Sequence, residues 1–217
     1  MKKLLLIILI LIISACEIQY DGETKIILTG KLIDKTGKPI SNKNIEIEVN
    51  GDGTYSSSDL ISFGKSDKNG DFTFVFPSPK SDNTISISIN NDGNEFQNKQ
   101  ILARKENFNN YKLDLNRITL YKNEDITSLR LITNSTSNNK QLTKILIEGL
   151  QPNNYINLNA INDASYFLET SFNVVKNQTV VIKYTITDYS SPVNVTTNDF
   201  VLNILIGNDP VIYTLAY

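Results

Sequence analysis

The chain has 217 residues, 40% hydrophobic and 20% charged, with 21 basic against 23 acidic side chains and a formal net charge of −2. It contains no His, no Trp and a single Cys. That removes the commonest general base and transition-metal ligand, and any disulfide or Cys-rich zinc framework, while the near-neutral balance argues against nucleic acid, which demands clustered Lys and Arg.

Met1-Lys2-Lys3 is a short positive segment, and Leu4 to Ile13 is an unbroken apolar run. A membrane-spanning helix needs about 20 such residues, so this run is too short to span and has the length of a secretory signal core. Ile13-Ser14-Ala15-Cys16 closes it, with the only Cys of the chain at its end. This tetrad resembles the lipobox of bacterial lipoproteins. The resemblance implies removal of residues 1–15, lipid on the Cys16 thiol and amine, and a tether over residues 16–23. Several acyl chains hold a protein at a bilayer without a transmembrane helix. Glu17 stands where an Asp would signal retention at the inner membrane, and Asp21 and Glu23 follow it. These acidic residues are similar to the surface-export signals of Bacteroidota lipoproteins. The implied address is the outer membrane, facing the cell surface, with its periplasmic face as the alternative.

From there the apolar residues recur with period 2, the period of half-buried strands, and no stretch carries a helical period. Ile26, Leu28, Gly30 and Leu32 alternate, as do Ile45, Ile47 and Val49, then Phe72, Phe74 and Phe76, then Ile85, Ile87 and Ile89. Leu113 and Leu115 share a phase that Ile118 and Leu120 break, which predicts a bulge near Arg117. Lys35-Thr36-Gly37-Lys38-Pro39 reads as a turn, and Asn69-Gly70 within Asp67–Asp71 as a hairpin turn. Pro77 and Pro79 are expected to end the Phe strand, because Pro cannot donate to a central ladder.

Gly30-Lys31-Leu32-Ile33-Asp34, then Gly37-Lys38-Pro39-Ile40, then Ser66-Asp67-Lys68-Asn69-Gly70-Asp71-Phe72 stand in order. Together they resemble the carboxypeptidase regulatory-like domain, a transthyretin-like β-sandwich. The resemblance implies that fold for residues 24–122. It carries no catalytic residue, since the matching positions are turn glycines, a turn proline and a core aromatic.

Residues 123–217 hold further strand candidates: Leu129 to Ile132, Lys144 to Glu148, Phe167 to Val175, Val180 to Thr187, Phe200 to Ile206 and Val211 to Leu215. About seven short strands in this length fit an immunoglobulin-like sandwich. The expectation is therefore an all-β protein of two tandem β-sandwich domains, transthyretin-like and then immunoglobulin-like; a single larger sandwich is the alternative.

Chemistry-bearing constellations are few. Asp67, Asn69 and Asp71 alternate like calcium ligands, but Gly70 falls inside the set and no bidentate Glu follows, so a turn explains them better. Glu46 and Glu48 share a strand face opposite Ile45, Ile47 and Val49, which reads as a solvated face. Ser62-Phe63-Gly64-Lys65 has the literal S-x-x-K spacing without its partner motifs. We expect no catalytic residue, no metal site and no cofactor. The remaining candidates are tyrosines in polar, loop-like stretches: Tyr55, Tyr155 and Tyr189. Each could stack on a sugar ring, or fold back onto the end of its sandwich. The expected function is a lipid-anchored, non-catalytic envelope module that binds a glycan or a protein, with the membrane as partner through Cys16. A scaffolding subunit of an outer-membrane complex is the alternative, and a glycan-active enzyme a more distant one.

Overall fold

Alternating apolar residues become strands throughout the computed structural model, which describes residues 18–51, 57–159, 168–191 and 193–217. Among the described residues fourteen strands run in chain order: β1 (Tyr20–Ile33), β2 (Asn44–Asn50), β3 (Ser58–Lys65), β4 (Asp71–Pro79), β5 (Thr84–Ile89), β6 (Lys99–Ala103), β7 (Lys112–Thr119), β8 (Ile126–Asn134), β9 (Lys140–Glu148), β10 (Tyr155–Asn157), β11 (Ser171–Val175), β12 (Gln178–Asp188), β13 (Thr196–Ile206) and β14 (Val211–Ala216). Among the described residues the only helical elements are two short 3-10 turns, Lys105–Asn107 and Asn123–Asp125. The protein is all-β.

The chain divides into two units. One is Met1–Leu120 with Asn154–Ile161, the other Tyr121–Asn153 with Asn162–Tyr217. The first unit is a sandwich of a three-stranded sheet, β4-β1-β7, and a five-stranded sheet, β10-β6-β5-β2-β3. Ile26 and Leu28 of β1 and Phe72, Phe74 and Phe76 of β4 form one core with Ile45, Ile47 and Val49 of β2 and Ile85, Ile87 and Ile89 of β5. Each such side chain, fully buried, contributes on the order of 1.5–3 kcal/mol. The second unit pairs β11-β8-β14 with β13-β12-β9 around Leu129, Val174, Val180, Ile182 and Ile206.

Several local expectations are refined. β1 begins at Tyr20, inside the expected tether, and Ile18 is already buried in the core. Asp21 makes this early start possible: its carboxylate accepts from the Thr24 hydroxyl at 2.5 Å, closing the irregularity between Asp21 and Lys25. β4 does not stop at Pro77 but pairs through Pro79, with Lys25 opposite Pro77 and Tyr20 opposite Pro79. Both prolines are tolerated because β4 is an edge strand, whose outer side needs no donor. The Asn69-Gly70 turn does not close a hairpin. β3 pairs with β2 and β4 with β1, so the turn carries the chain from one sheet to the other. The slip predicted near Arg117 is present, where Asn116 at φ 53 shifts the β1–β7 register. Tyr155 lies on a strand, not in a loop, and its segment belongs to the first unit although the surrounding sequence builds the second.

Candidate functional site

Strand alternation puts one set of β2, β5 and β6 side chains into the core and the other onto the outer face of the five-stranded sheet. The register aligns that outer set into rows across all five strands. In one row Tyr155 lies beside Gln100, Gln100 beside Ser88, Ser88 beside Glu46, and Glu46 beside Phe63. The next row runs Asn157, Leu102, Ser86, Glu48, Leu60. Four interstrand spacings of about 4.8 Å set the ends of each row roughly 19 Å apart.

The first row has an aromatic ring at each end and polar groups between. Phe63 is 74% exposed and Tyr155 57%, values that the hydrophobic effect disfavours for rings without a partner. The polar middle is held in place. Gln100 donates its amide to the Ser86 hydroxyl at 2.9 Å, which orients the Gln100 carbonyl oxygen. Asn91 donates its amide to Glu46 at 2.5 Å, fixing that carboxylate through one oxygen. Backbone donors and acceptors of β6, β5 and β2 are committed to neighbouring strands on both sides, so a ligand here meets side chains alone.

Beside β10 the platform ends in a cavity of about 350 Å³ lined by Thr84, Leu102, Ala103, Arg104, Glu106, Asn157 and Asn159. Asn107 donates to the Asn159 side-chain oxygen at 2.8 Å, and the Asn159 N–H donates to the Asn157 side chain at 3.0 Å. Both side-chain oxygens are thus occupied, while the amide hydrogens of Asn157 and Asn159 make no hydrogen bond among the described residues. Arg104 reaches Asp82 at 3.3 Å. The arrangement can hydrogen-bond hydroxyls and carbonyls and can stack flat rings.

A scan against family models and a search of curated proteins found no match. Solved structures show distant similarity. Shaft pilin SpaA from Lactobacillus rhamnosus GG is 10% identical, with a TM-score of 0.34, 89% of this chain and 98% of that chain covered. The Bacillus anthracis TIE protein is 14% identical, with a TM-score of 0.34, over 89% of this chain. The 3-chlorocatechol 1,2-dioxygenase from Rhodococcus opacus 1CP is 14% identical, with a TM-score of 0.36, over 48% of this chain. The chain spans 61% of the dioxygenase and 34% of the TIE protein. None is similar enough to place the chain in a family.

Of the residues singled out by sequence, Tyr155 stands at one edge of the platform. Tyr189 follows β12 in the second unit and is 48% exposed, with its N–H donating to the Asn139 carbonyl at 2.8 Å. The two tyrosines belong to different units. Cys16 and Tyr55 lie outside the described residues. Asp67 accepts from the backbone N–H groups of Asn69 and Asp71, both at 2.8 Å, and Asp71 faces Lys31 at 3.3 Å. Asp34 closes its turn the same way, accepting from Thr36 and Lys38. The Thr36 hydroxyl, then these backbone donors, hold the Asp34 carboxyl below its ordinary range. These carboxylates serve turns. Phe63, Gln100 and Ser88 were not singled out by sequence; the signal that could have found them is the shared outward phase of β2, β3, β5 and β6.

Proposed function

We propose that this protein is a lipid-anchored module of the bacterial cell envelope that binds a glycan on the outer face of its five-stranded sheet. The row from Tyr155 to Phe63 carries this reading. Rings at both ends offer faces for the C–H surfaces of sugars, and carboxylate, hydroxyl and amide groups between them match sugar hydroxyls. Between the rings the backbone of β6, β5 and β2 is already paired, so a peptide could add as a strand only along the β3 or β10 edge and not across the row. The anchor rests on the lipobox ending at Cys16, and Glu17, Asp21 and Glu23 after it support an outer-membrane address facing the cell surface, with the periplasmic face as the alternative. No helix among the described residues is long and apolar enough to cross a membrane. The turn residues Gly37, Pro39 and Gly70 and the core residue Phe72 support a carboxypeptidase regulatory-like sandwich for the first domain, followed by an immunoglobulin-like one. In this reading the protein performs no catalysis.

The test has two parts. Cys16→Ser abolishes lipid labelling and moves the protein out of the membrane fraction; unchanged membrane association would sink the anchor. Tyr155→Ala and Phe63→Ala each weaken glycan binding about tenfold or more, the usual effect of truncating an anchoring aromatic, measured by affinity electrophoresis across a polysaccharide panel. A scaffolding role has its own observation: β13 pairs only with β12 among the described residues, and its Val201 and Leu205 are 67% and 76% exposed. Glycan binding that survives both aromatic substitutions, together with a crosslink from Val201 to an envelope protein, would move the function to that edge.

A further inference from the structure

The two central acidic residues of the platform carry information about its ligand beyond the choice of a glycan. Glu46 and Glu48 occupy the β2 position of the two adjacent rows. Their cross-strand neighbours are Ser88 and Phe63 for Glu46, and Ser86 and Leu60 for Glu48. No cation stands in either row. Lys65 lies beyond Phe63 at the end of β3, opposite Asn44. Arg104, at the cavity, is paired with Asp82, and Glu106 lines the same cavity. The centre of the two rows is therefore negative, with Lys65 flanking it beyond Phe63 and Arg104, ion-paired with Asp82, at the cavity end.

We infer that the platform takes an extended neutral polysaccharide lying across the strands, and that Glu46 and Glu48 exclude acidic chains. This rests on the glycan reading above. A polymer running along the first row meets, in order, a ring, an amide, a hydroxyl, a carboxylate and a ring. Its hydroxyls donate to the Glu46 oxygen that Asn91 leaves open, and to Glu48. These are charge-assisted hydrogen bonds, roughly twice as strong as neutral ones. A uronate or sulfated sugar at the same place would set its anion against these carboxylates with no counter-ion in the row. The repulsion acts at contact distance and so persists at physiological salt. The cavity beside β10 receives the chain beyond Tyr155, where the side chains of Asn157 and Asn159 offer polar groups to ring or acetamido oxygens.

The test uses the full lipidated chain in detergent micelles. Affinity electrophoresis is run through neutral polysaccharides (β-glucan, xylan and mannan) and through polygalacturonate and alginate as acidic ones. The wild type is retarded by a neutral polymer and not by the acidic ones. Glu46→Gln with Glu48→Gln lowers retardation by the neutral polymer, because charge-assisted bonds become neutral ones. The same double variant raises polygalacturonate binding about tenfold, as two contact repulsions are removed. Opposite movements in one variant cannot come from partial unfolding. If the wild type binds polygalacturonate as well as it binds a neutral polymer, or if both affinities of the double variant move together, the charge selection is wrong. The glycan reading would still stand provided that Tyr155→Ala weakens that binding. If no polysaccharide of either kind is retarded, the glycan reading itself falls.

Discussion

Gly70 sits at φ 77, where a Cβ would clash with the Leu32 carbonyl oxygen and meet the Ile40 nitrogen at 3.2 Å. The same three residues exchange backbone bonds: Leu32 N–H donates to the Gly70 carbonyl at 2.8 Å, and Ile40 N–H to the Leu32 carbonyl at 3.0 Å. Gly70→Ala therefore adds left-handed strain and displaces a hydrogen-bonded carbonyl. A loss on the order of 2–4 kcal/mol follows, read as a lower urea midpoint. Gly37, at φ 86 with nothing within 4 Å, is the control; its Ala variant costs only about 1 kcal/mol. A loss at Gly70 no larger than at Gly37 would refute the close approach. Lys99 supplies a pH dependence, because burial pulls its amine down to about 8. In the unfolded chain it titrates near 10.4. Between these values the unfolded state holds a proton that the folded state has released, so stability rises with pH. Tyr20 and Tyr121 hold their hydroxyl protons above the ordinary value, Tyr20 through burial and then Asp59, Tyr121 through burial. They oppose the rise only above about pH 10. Urea melts between pH 8 and 10 should show the rise, and Lys99→Met should flatten it; an equal rise in the variant would assign it elsewhere. Turn glycines were legible because turn chemistry is local. Lys99 was not, since nothing around Asn98-Lys99-Gln100 in the sequence marks an inward-facing amine.

β10 is the element on which the platform depends most and the one least legible in advance. Tyr155-Ile156-Asn157 is too short to display a period, and its partner β6 lies far upstream in the chain. Its attachment rests on parallel pairing with β6, on Ile156 packing against the first unit's core, and on backbone bonds from Gln100 N–H to the Asn154 carbonyl and from Leu158 N–H to the Leu102 carbonyl. Ile156→Asp places a charge at that contact and undocks the strand. The Gln100 amide then loses its hydrogen-exchange protection while Ile87, in the central strand β5, keeps its own. Retained protection at Gln100 would show that pairing alone holds β10. The longer strands were legible because their periodicity survives folding: β2, β5 and β12 bury the residues that alternate in the sequence. β4 departed from expectation because edge or central position is a property of the sheet, which no single segment reveals.

At the level of the whole molecule, the described residues form one hydrophobic cluster in the first unit and two in the second. The first draws on residues from Ile18 to Leu120 with Ile156 packed against it, the other two on residues beyond Tyr121. The halves of the sequence were legible because each carries enough alternating apolar residues for a core of its own. The return of Asn154–Ile161 to the first unit was not, for it serves a register and not a period. The same scale gives meaning to Ile18, buried at the start of the first core. With lipid on Cys16, Glu17 is the only residue between the anchor and the folded body, and two residues of extended chain reach roughly 7 Å. Under the proposed anchor the body would stand on the bilayer without a leash, as a plinth, and a polymer captured as proposed would be held along the membrane, in the layer that neighbouring membrane proteins reach.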